Sequence, residues 1–346
     1  MMLVTTLEEL RLYSPANALD NIQTISGYLD SSEHDFLEDK LGTPLYESLL
    51  EYYRNIATSN GISTFIDDIL SNNPLSPYQQ LLSLAQRCIT FDALGRSIDM
   101  QAISVNGSGV NVSTADNYGK AEEKTIQAYK ATCYRESHAA VNRLLTTLES
   151  WVKIEKPKEN AKESSDTEKA KIAELWQKSR YYYLAASLII PSAEVLQEYL
   201  NIYDNREKFI TMLPDLRYIQ EDIVAPVIGE DLLDKLIDTA TKGTQEKLLL
   251  RIIHYLRKAT ARQLESRTMA IKVGDPRKEQ AHNEAVALLS SCAEYIKVHQ
   301  QDFLEDWTEV LKLSPLYIPV ATESSNKNTF ENNQDGNVIF VTPSLN

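Results

Sequence analysis

Leu41-Gly42-Thr43-Pro44-Leu45-Tyr46-Glu47-Ser48-Leu49-Leu50 is echoed, at a constant offset of 187, by Ile228-Gly229-Glu230-Asp231-Leu232-Leu233-Asp234-Lys235-Leu236-Ile237. In both stretches an apolar helical segment runs into a glycine and a new helix starts at once. Thr43 and Pro44 suit the N-cap and first turn of one helix, and Glu230 and Asp231 are first-turn acids of the other. Glycine is the residue a helix end favours where the chain must pass through positive φ. Two weaker echoes follow in the same order. Tyr78 to Ile89, with Leu81, Leu82, Leu84, Ala85 and Cys88, is matched in character by Thr244 to Ile253, with Leu248, Leu249, Leu250 and Ile252. Leu148-Glu149-Ser150-Trp151 is matched by Leu304-Glu305-Asp306-Trp307 at an offset of 156. A shrinking offset is expected if the first copy carries longer loops. The echoes predict a tandem duplication, each copy reading as short helices, a glycine break, a helix, a second helix, a connector and a long final helix.

The final helices carry the clearest periodicity. One is expected from about Lys120 to Val152, through Ile126, Tyr129, Cys133, Val141, Leu144, Leu145, Leu148 and Trp151, and the other from about Lys278 to Leu311, through Val286, Leu289, Cys292, Ile296, Phe303, Trp307 and Val310. A chain of 346 residues with only 11 Gly and 12 Pro has few turns to offer, which again favours long helices. The predicted fold class is therefore all-α. Between Lys153 and Lys171 six lysines and five acids stand with almost nothing apolar, a composition unable to bury a face. The domain reading is thus a first helical domain over 1–152, a charged linker over 153–174, a second helical domain over 175–313 and an extended arm over 314–346.

One strand signal interrupts the helices. Apolar-polar alternation on both sides of Asn106-Gly107-Ser108-Gly109 predicts a β-hairpin over 100–114, with Ile103, Val105, Val110 and Val112 on one face as a surface for a partner. The second copy offers only a shorter analogue at Arg267 to Val273. In the arm, the polar run Ala321 to Gly336 ends in Val338, Ile339, Phe340 and Val341, an apolar cluster that makes physical sense as a partner-binding element.

Charge narrows the function. Asp and Glu number 49 against 35 Lys and Arg, a net charge of −14 that disfavours sequence-specific nucleic-acid binding. Residues 1–70 hold twelve acidic and three basic residues, and Glu33, Glu38 and Asp39 lie in their densest part. Three well-separated cysteines, Cys88, Cys133 and Cys292, suggest neither a disulfide framework nor a thiolate metal site. The first ten residues lack a secretory pattern and Tyr181 to Pro191 is far short of a membrane span, so a soluble intracellular protein is expected, with no membrane partner.

No catalytic or metal constellation is expected, and no cofactor. Glu279-x-x-His282 has the helical spacing of half a di-metal carboxylate site, but no second copy exists. Glu136-Ser137-His138 has the wrong spacing, and His299, on the seam between Ile296 and Phe303, reads as a satisfied core histidine. Gly107-Ser108-Gly109 lacks the strand-to-helix setting of a nucleophile elbow. Glu33, Asp35, Glu38 and Asp39 do not have the spacing of a calcium loop and read as a solvated helix face. The paired and tripled tyrosines, Tyr52-Tyr53 and Tyr181-Tyr182-Tyr183, read as amphipathic helix edges.

Phe36-Leu37-Glu38-Asp39-Lys40-Leu41-Gly42-Thr43-Pro44-Leu45-Tyr46, then Leu81 to Ile89, the hairpin and the long helix together resemble a family of unknown-function proteins from phages and prophages of gut Bacteroidales. That family is similar in turn to the helical head-to-tail connector (adaptor) proteins of tailed phages. The resemblance implies a structural protein of the virion neck, with no enzymatic activity, assembled in the bacterial host cytoplasm. Two related connector-like domains are then expected, although connector domains are usually single. Copies would form a homo-oligomeric ring, commonly a dodecamer, beneath the portal protein and against tail or neck proteins. On this reading Glu33, Glu38 and Asp39 face a DNA channel whose negative wall lets the genome slide, and the hairpin and arm hold neighbours. The competing class is a non-viral intracellular helical scaffold or binding protein.

Overall fold

The computed structural model describes residues 2–14, 21–101, 103–106, 109–112, 123–154, 165–185, 187–268 and 276–319. Over these residues the fold is helical apart from one short strand pair, and two compact units divide it at Pro214 and Asp215.

Unit 1 begins with α1 (Leu7–Tyr13), started by a capping box in which the Thr6 hydroxyl accepts the Glu9 N–H and the Glu9 carboxylate reaches back to the Thr6 N–H. Next comes α2 (Ser26–Ser32), which runs without a break through a π-helical stretch, Glu33–Leu37, into the single turn α3 (Glu38–Leu41). Gly42 separates α3 from α4 (Thr43–Thr58), whose i, i+4 series Leu45, Leu49 and Tyr53 is buried. After α5 (Gly61–Leu70) and α6 (Pro77–Gln101), two short strands, β1 (Ile103–Asn106) and β2 (Gly109–Val112), pair antiparallel with Ile103 opposite Val112 and Val105 opposite Val110. Thirty residues then form α7 (Glu123–Val152), followed by α8 (Ser165–Gln177), the short α9 (Ala193–Gln197) and α10 (Arg206–Tyr218). The core lies where α6 and α7 pack together and α8 closes against them and against α4, with Leu82, Ile89, Leu144, Leu148, Ile172 and Trp176 buried.

Unit 2 repeats this plan in a shorter form. The end of α10 passes into a second π-helical stretch, Ile219–Val224, and then into the single turn α11 (Ala225–Ile228), Gly229 and α12 (Glu230–Lys242). A packed helix pair follows, α13 (Lys247–Thr268) with α14 (Pro276–Val298), and α15 (Glu305–Leu313) folds back onto α12 as α8 does onto α4.

This order corrects several expectations. Residues 165–174, read as charged linker, are part of α8, because Ile172, Ala173 and Trp176 give one face of the helix enough apolar surface to bury despite its lysines. The long helix expected from Lys278 to Leu311 stops at Val298 and resumes at Glu305. His299 marks that break: half-exposed and bonded to Asp302 (2.7 Å), it is not a core residue. Trp151 therefore lies in α7 and Trp307 in α15, so the third echo pairs residues of non-equivalent helices. The expected strand at Arg267 starts inside α13, with residues 269–275 outside the described set. Nor does an arm begin at 314: Ser314 and Leu316 are buried, and Gln300 holds Ile318 by both its N–H (3.1 Å) and its carbonyl (2.8 Å).

Two buried carboxylates tie distant segments of unit 1 together. Glu9 accepts from the Thr5 and Thr6 N–H groups, the Tyr53 hydroxyl (2.9 Å) and the Gln86 amide (2.8 Å). Glu149 of α7 accepts from the Tyr183 hydroxyl (2.5 Å) and from Arg206 (3.2 and 3.3 Å). Because Arg206 and Glu149 are 5% and 8% exposed, removing one partner leaves the other charge buried. Glu149→Ala is expected to destabilise unit 1 by about 3 to 5 kcal/mol in urea unfolding. Lys153→Ala, which breaks the exposed pair with Glu194, is expected to cost under ~0.5 kcal/mol.

Candidate functional site

The π-helical stretches set the geometry of both glycine junctions. In each, one extra residue is accommodated in the helix, so that the N–H of Glu38 bonds the Glu33 carbonyl and that of Ala225 bonds the Gln220 carbonyl. The following turn ends on glycine with the same bonding: Gly42 N–H to the Glu38 carbonyl (2.7 Å) and Gly229 N–H to the Ala225 carbonyl (2.8 Å). Gly42 has φ +78° and ψ 150°, and Gly229 φ +94° and ψ 139°, a region in or near that essentially reserved for glycine. Space imposes the same choice. A Cβ at position 42 would fall 2.0 Å from the Ser179 Oγ, and one at 229 would fall 3.0 to 3.1 Å from Pro315 and Ser314.

Those serines are equivalent. Ser179 follows α8, its N–H on the Trp176 carbonyl and its hydroxyl accepting the Tyr181 N–H (3.1 Å). Ser314 follows α15, its N–H on the Leu311 carbonyl and its hydroxyl accepting the Leu316 N–H (3.2 Å) while donating to the Ile228 carbonyl (2.5 Å). In unit 1 the indole of Trp176 supplies the matching bond, donating to the Lys40 carbonyl (3.2 Å) at the end of α3. Each unit thus seats the serine that follows α8 or α15 on the glycine before the helix which that element packs against.

At the unit 1 junction the surroundings open into a polar cleft of about 470 Å³ lined by His34, Glu38, Asp39, Thr43, Lys178 and Arg180 among others. Glu38 accepts from the Thr43 hydroxyl (2.9 Å) and lies 3.1 Å from His34 Nδ1, a contact that raises the histidine's pKa. Tyr181 donates to Asp39 (2.7 Å) and bears the Arg180 guanidinium against its ring and hydroxyl. The cleft offers both signs of charge, an arrangement suited to binding a polar surface.

Of the acidic residues singled out from the sequence, Glu38 and Asp39 meet in this cleft, half-buried and exposed respectively. Glu33 does not. It is 1% exposed, and its oxygens accept from the Leu3 N–H (2.8 Å) and the Tyr46 hydroxyl (2.7 Å), because the π-helical stretch turns it inward. A channel-facing role for Glu33 is thereby removed. The hairpin residues Ile103, Val105, Val110 and Val112 are described in backbone only, and Val338, Ile339, Phe340 and Val341 lie outside the described residues. His282 bonds Gln263 (2.9 Å), and among the described residues no group of three His, Cys, Asp or Glu side chains is placed to hold a metal. No helix among them is long and apolar enough to cross a membrane. Trp176, Ser179 and Arg180 were missed by the sequence reading; only the neighbouring tyrosine run drew notice to that segment.

Residues 37–165 match the model of a family of unknown function (DUF6712). This chain is similar to that family over unit 1 from the π-helical stretch to the start of α8. No curated protein and no solved structure matches it.

Burial raises the Glu33 pKa, against the pull of its two hydrogen bonds. The folded chain then holds that proton more tightly than the unfolded one, so this group's contribution falls as pH rises from the ordinary carboxylate range through the raised pKa. Glu33→Gln is expected to flatten that part of the stability–pH curve, measured as urea midpoints between pH 4 and 8. A difference between wild type and variant that does not change with pH contradicts the assignment.

Proposed function

We propose that the chain is a structural subunit of a tailed-phage virion neck, a head-to-tail connector whose copies form a ring below the portal protein. The observation that carries the reading is the order α6, paired strands β1 and β2, then the 30-residue α7, which matches the helix–hairpin–helix arrangement of the connector resemblance. Two related connector-like units in one chain extend it, the second a shorter variant of the first. The hairpin then serves as a contact to a neighbouring copy or to the portal. Glu38 and Asp39, the two acids that remain at the surface, are the residues assigned to a negative channel wall. The mixed charge of the cleft at Gly42 favours a second reading, an intracellular helical scaffold that binds a polar peptide surface there.

Sedimentation velocity and negative-stain imaging of the purified chain, alone and with a portal ring, separate the two. Closed rings or portal-bound rings are expected. Monomers and dimers at every concentration, with no binding to a portal, would reject the connector reading.

A further inference from the structure

The second π-helical stretch opens an apolar groove of about 200 Å³ in unit 2, lined by Ile219, Ile223, Val227, Ala259, Val286 and Leu289 among others. Val286 is 49% exposed within it. In unit 1 the positions that correspond to Ile223 and Val227, by the same offset of 187, are Phe36 and Lys40. Both are engaged. Phe36 meets the His138 ring edge-on at 5.7 Å, and Lys40 pairs with Glu207 at 3.2 Å; Glu207 also reaches His138 at 2.6 Å. At the groove's counterpart, Glu207 thus comes from chain that returns after Ser179. That returning chain includes Arg206, Glu207 and the buried Phe209, which lie 27 to 30 residues beyond Ser179.

In unit 2, 27 residues beyond the equivalent Ser314 is Val341, the last residue of Val338-Ile339-Phe340-Val341. We propose that this segment of the same chain docks in the groove of unit 2. Reach permits it. Ile318 is fixed to Gln300, ten residues from Ser290 at the groove, a distance of about 15 Å at helical rise. The eighteen residues 320–337 span at most ~60 Å, and a polar chain of that length has a root-mean-square span of roughly 25 Å. Span and tether are close enough for the effective concentration of the segment to exceed that of any neighbouring copy in dilute solution. Chemistry agrees, since four consecutive apolar side chains meet an apolar groove beside an exposed valine. The inference stands apart from the ring reading, because it concerns the free chain.

A cysteine pair tests it. The natural thiols Cys88, Cys133 and Cys292 are buried, and burial pushes their pKa up, to about 12 for Cys292, so they give a quiet background. Val286→Cys combined with Ile339→Cys in the full chain, mildly oxidised at micromolar concentration, is expected to give a monomer with an internal disulfide that neither single variant forms. Disulfide-linked dimers or longer ladders would assign the groove to another copy and overturn the proposal; so would the absence of any crosslink. Deletion of Asn337–Asn346 gives a second readout. Amide exchange at 219–227 and 285–290 is expected to rise at least tenfold while that around Gly42 stays unchanged, and equal exchange in the two proteins would also overturn it.

Discussion

A serine hydroxyl occupies the place where a side chain on Gly42 would have to stand, and the rest of unit 1 is arranged around that contact. The glycine lets α3 end and α4 begin within one residue; the serine ends α8 against the same point. Between them lie α5, α6 and α7, so the contact closes a loop of well over a hundred residues. Loop-closure entropy of that size is repaid only if the closing surfaces bury much apolar area, which Trp176, Ile172 and Leu45 provide. Gly229 and Ser314 repeat the device with a different donor, the serine hydroxyl in place of an indole.

Polar burial follows the same economy of segments. Glu9, Glu33 and Glu149 are each almost fully buried, and each draws donors from elements far apart in sequence. Carboxylates so placed are structural, since their hydrogen bonds keep ends and returns of the chain in register. Glu38 and Asp39 instead line the cleft, where they accept from Thr43 and Tyr181.

The helical class and the glycine junctions were legible because periodicity and the Gly-Thr-Pro and Gly-Glu-Asp starts are local signals. Ser179 and Trp176 were not, as their partners Gly42 and Lys40 lie more than 130 residues away and serine carries no pattern of its own. Charge misled twice. The lysines around α8 hid three buried residues on its other face, and the acidic run around Glu33 hid a π-helical stretch that turns one member inward. The tryptophan echo failed for a related reason: apolar spacing runs on through Ile296, Phe303 and Trp307, while the backbone breaks at His299 so that α15 can fold back on α12.

Equilibrium urea unfolding of four variants tests the seat of serine on glycine most directly. Gly42→Ala is expected to cost about 3 kcal/mol, from backbone strain and displacement of Ser179 together, and Gly229→Ala less, about 1 to 2 kcal/mol, mostly backbone strain. Ser179→Gly, added to Gly42→Ala, should restore the part due to displacement; added to Gly229→Ala it should restore nothing. Alanine tolerated at either glycine for under ~1 kcal/mol, or a Ser179→Gly change that restores neither or both, would contradict the account.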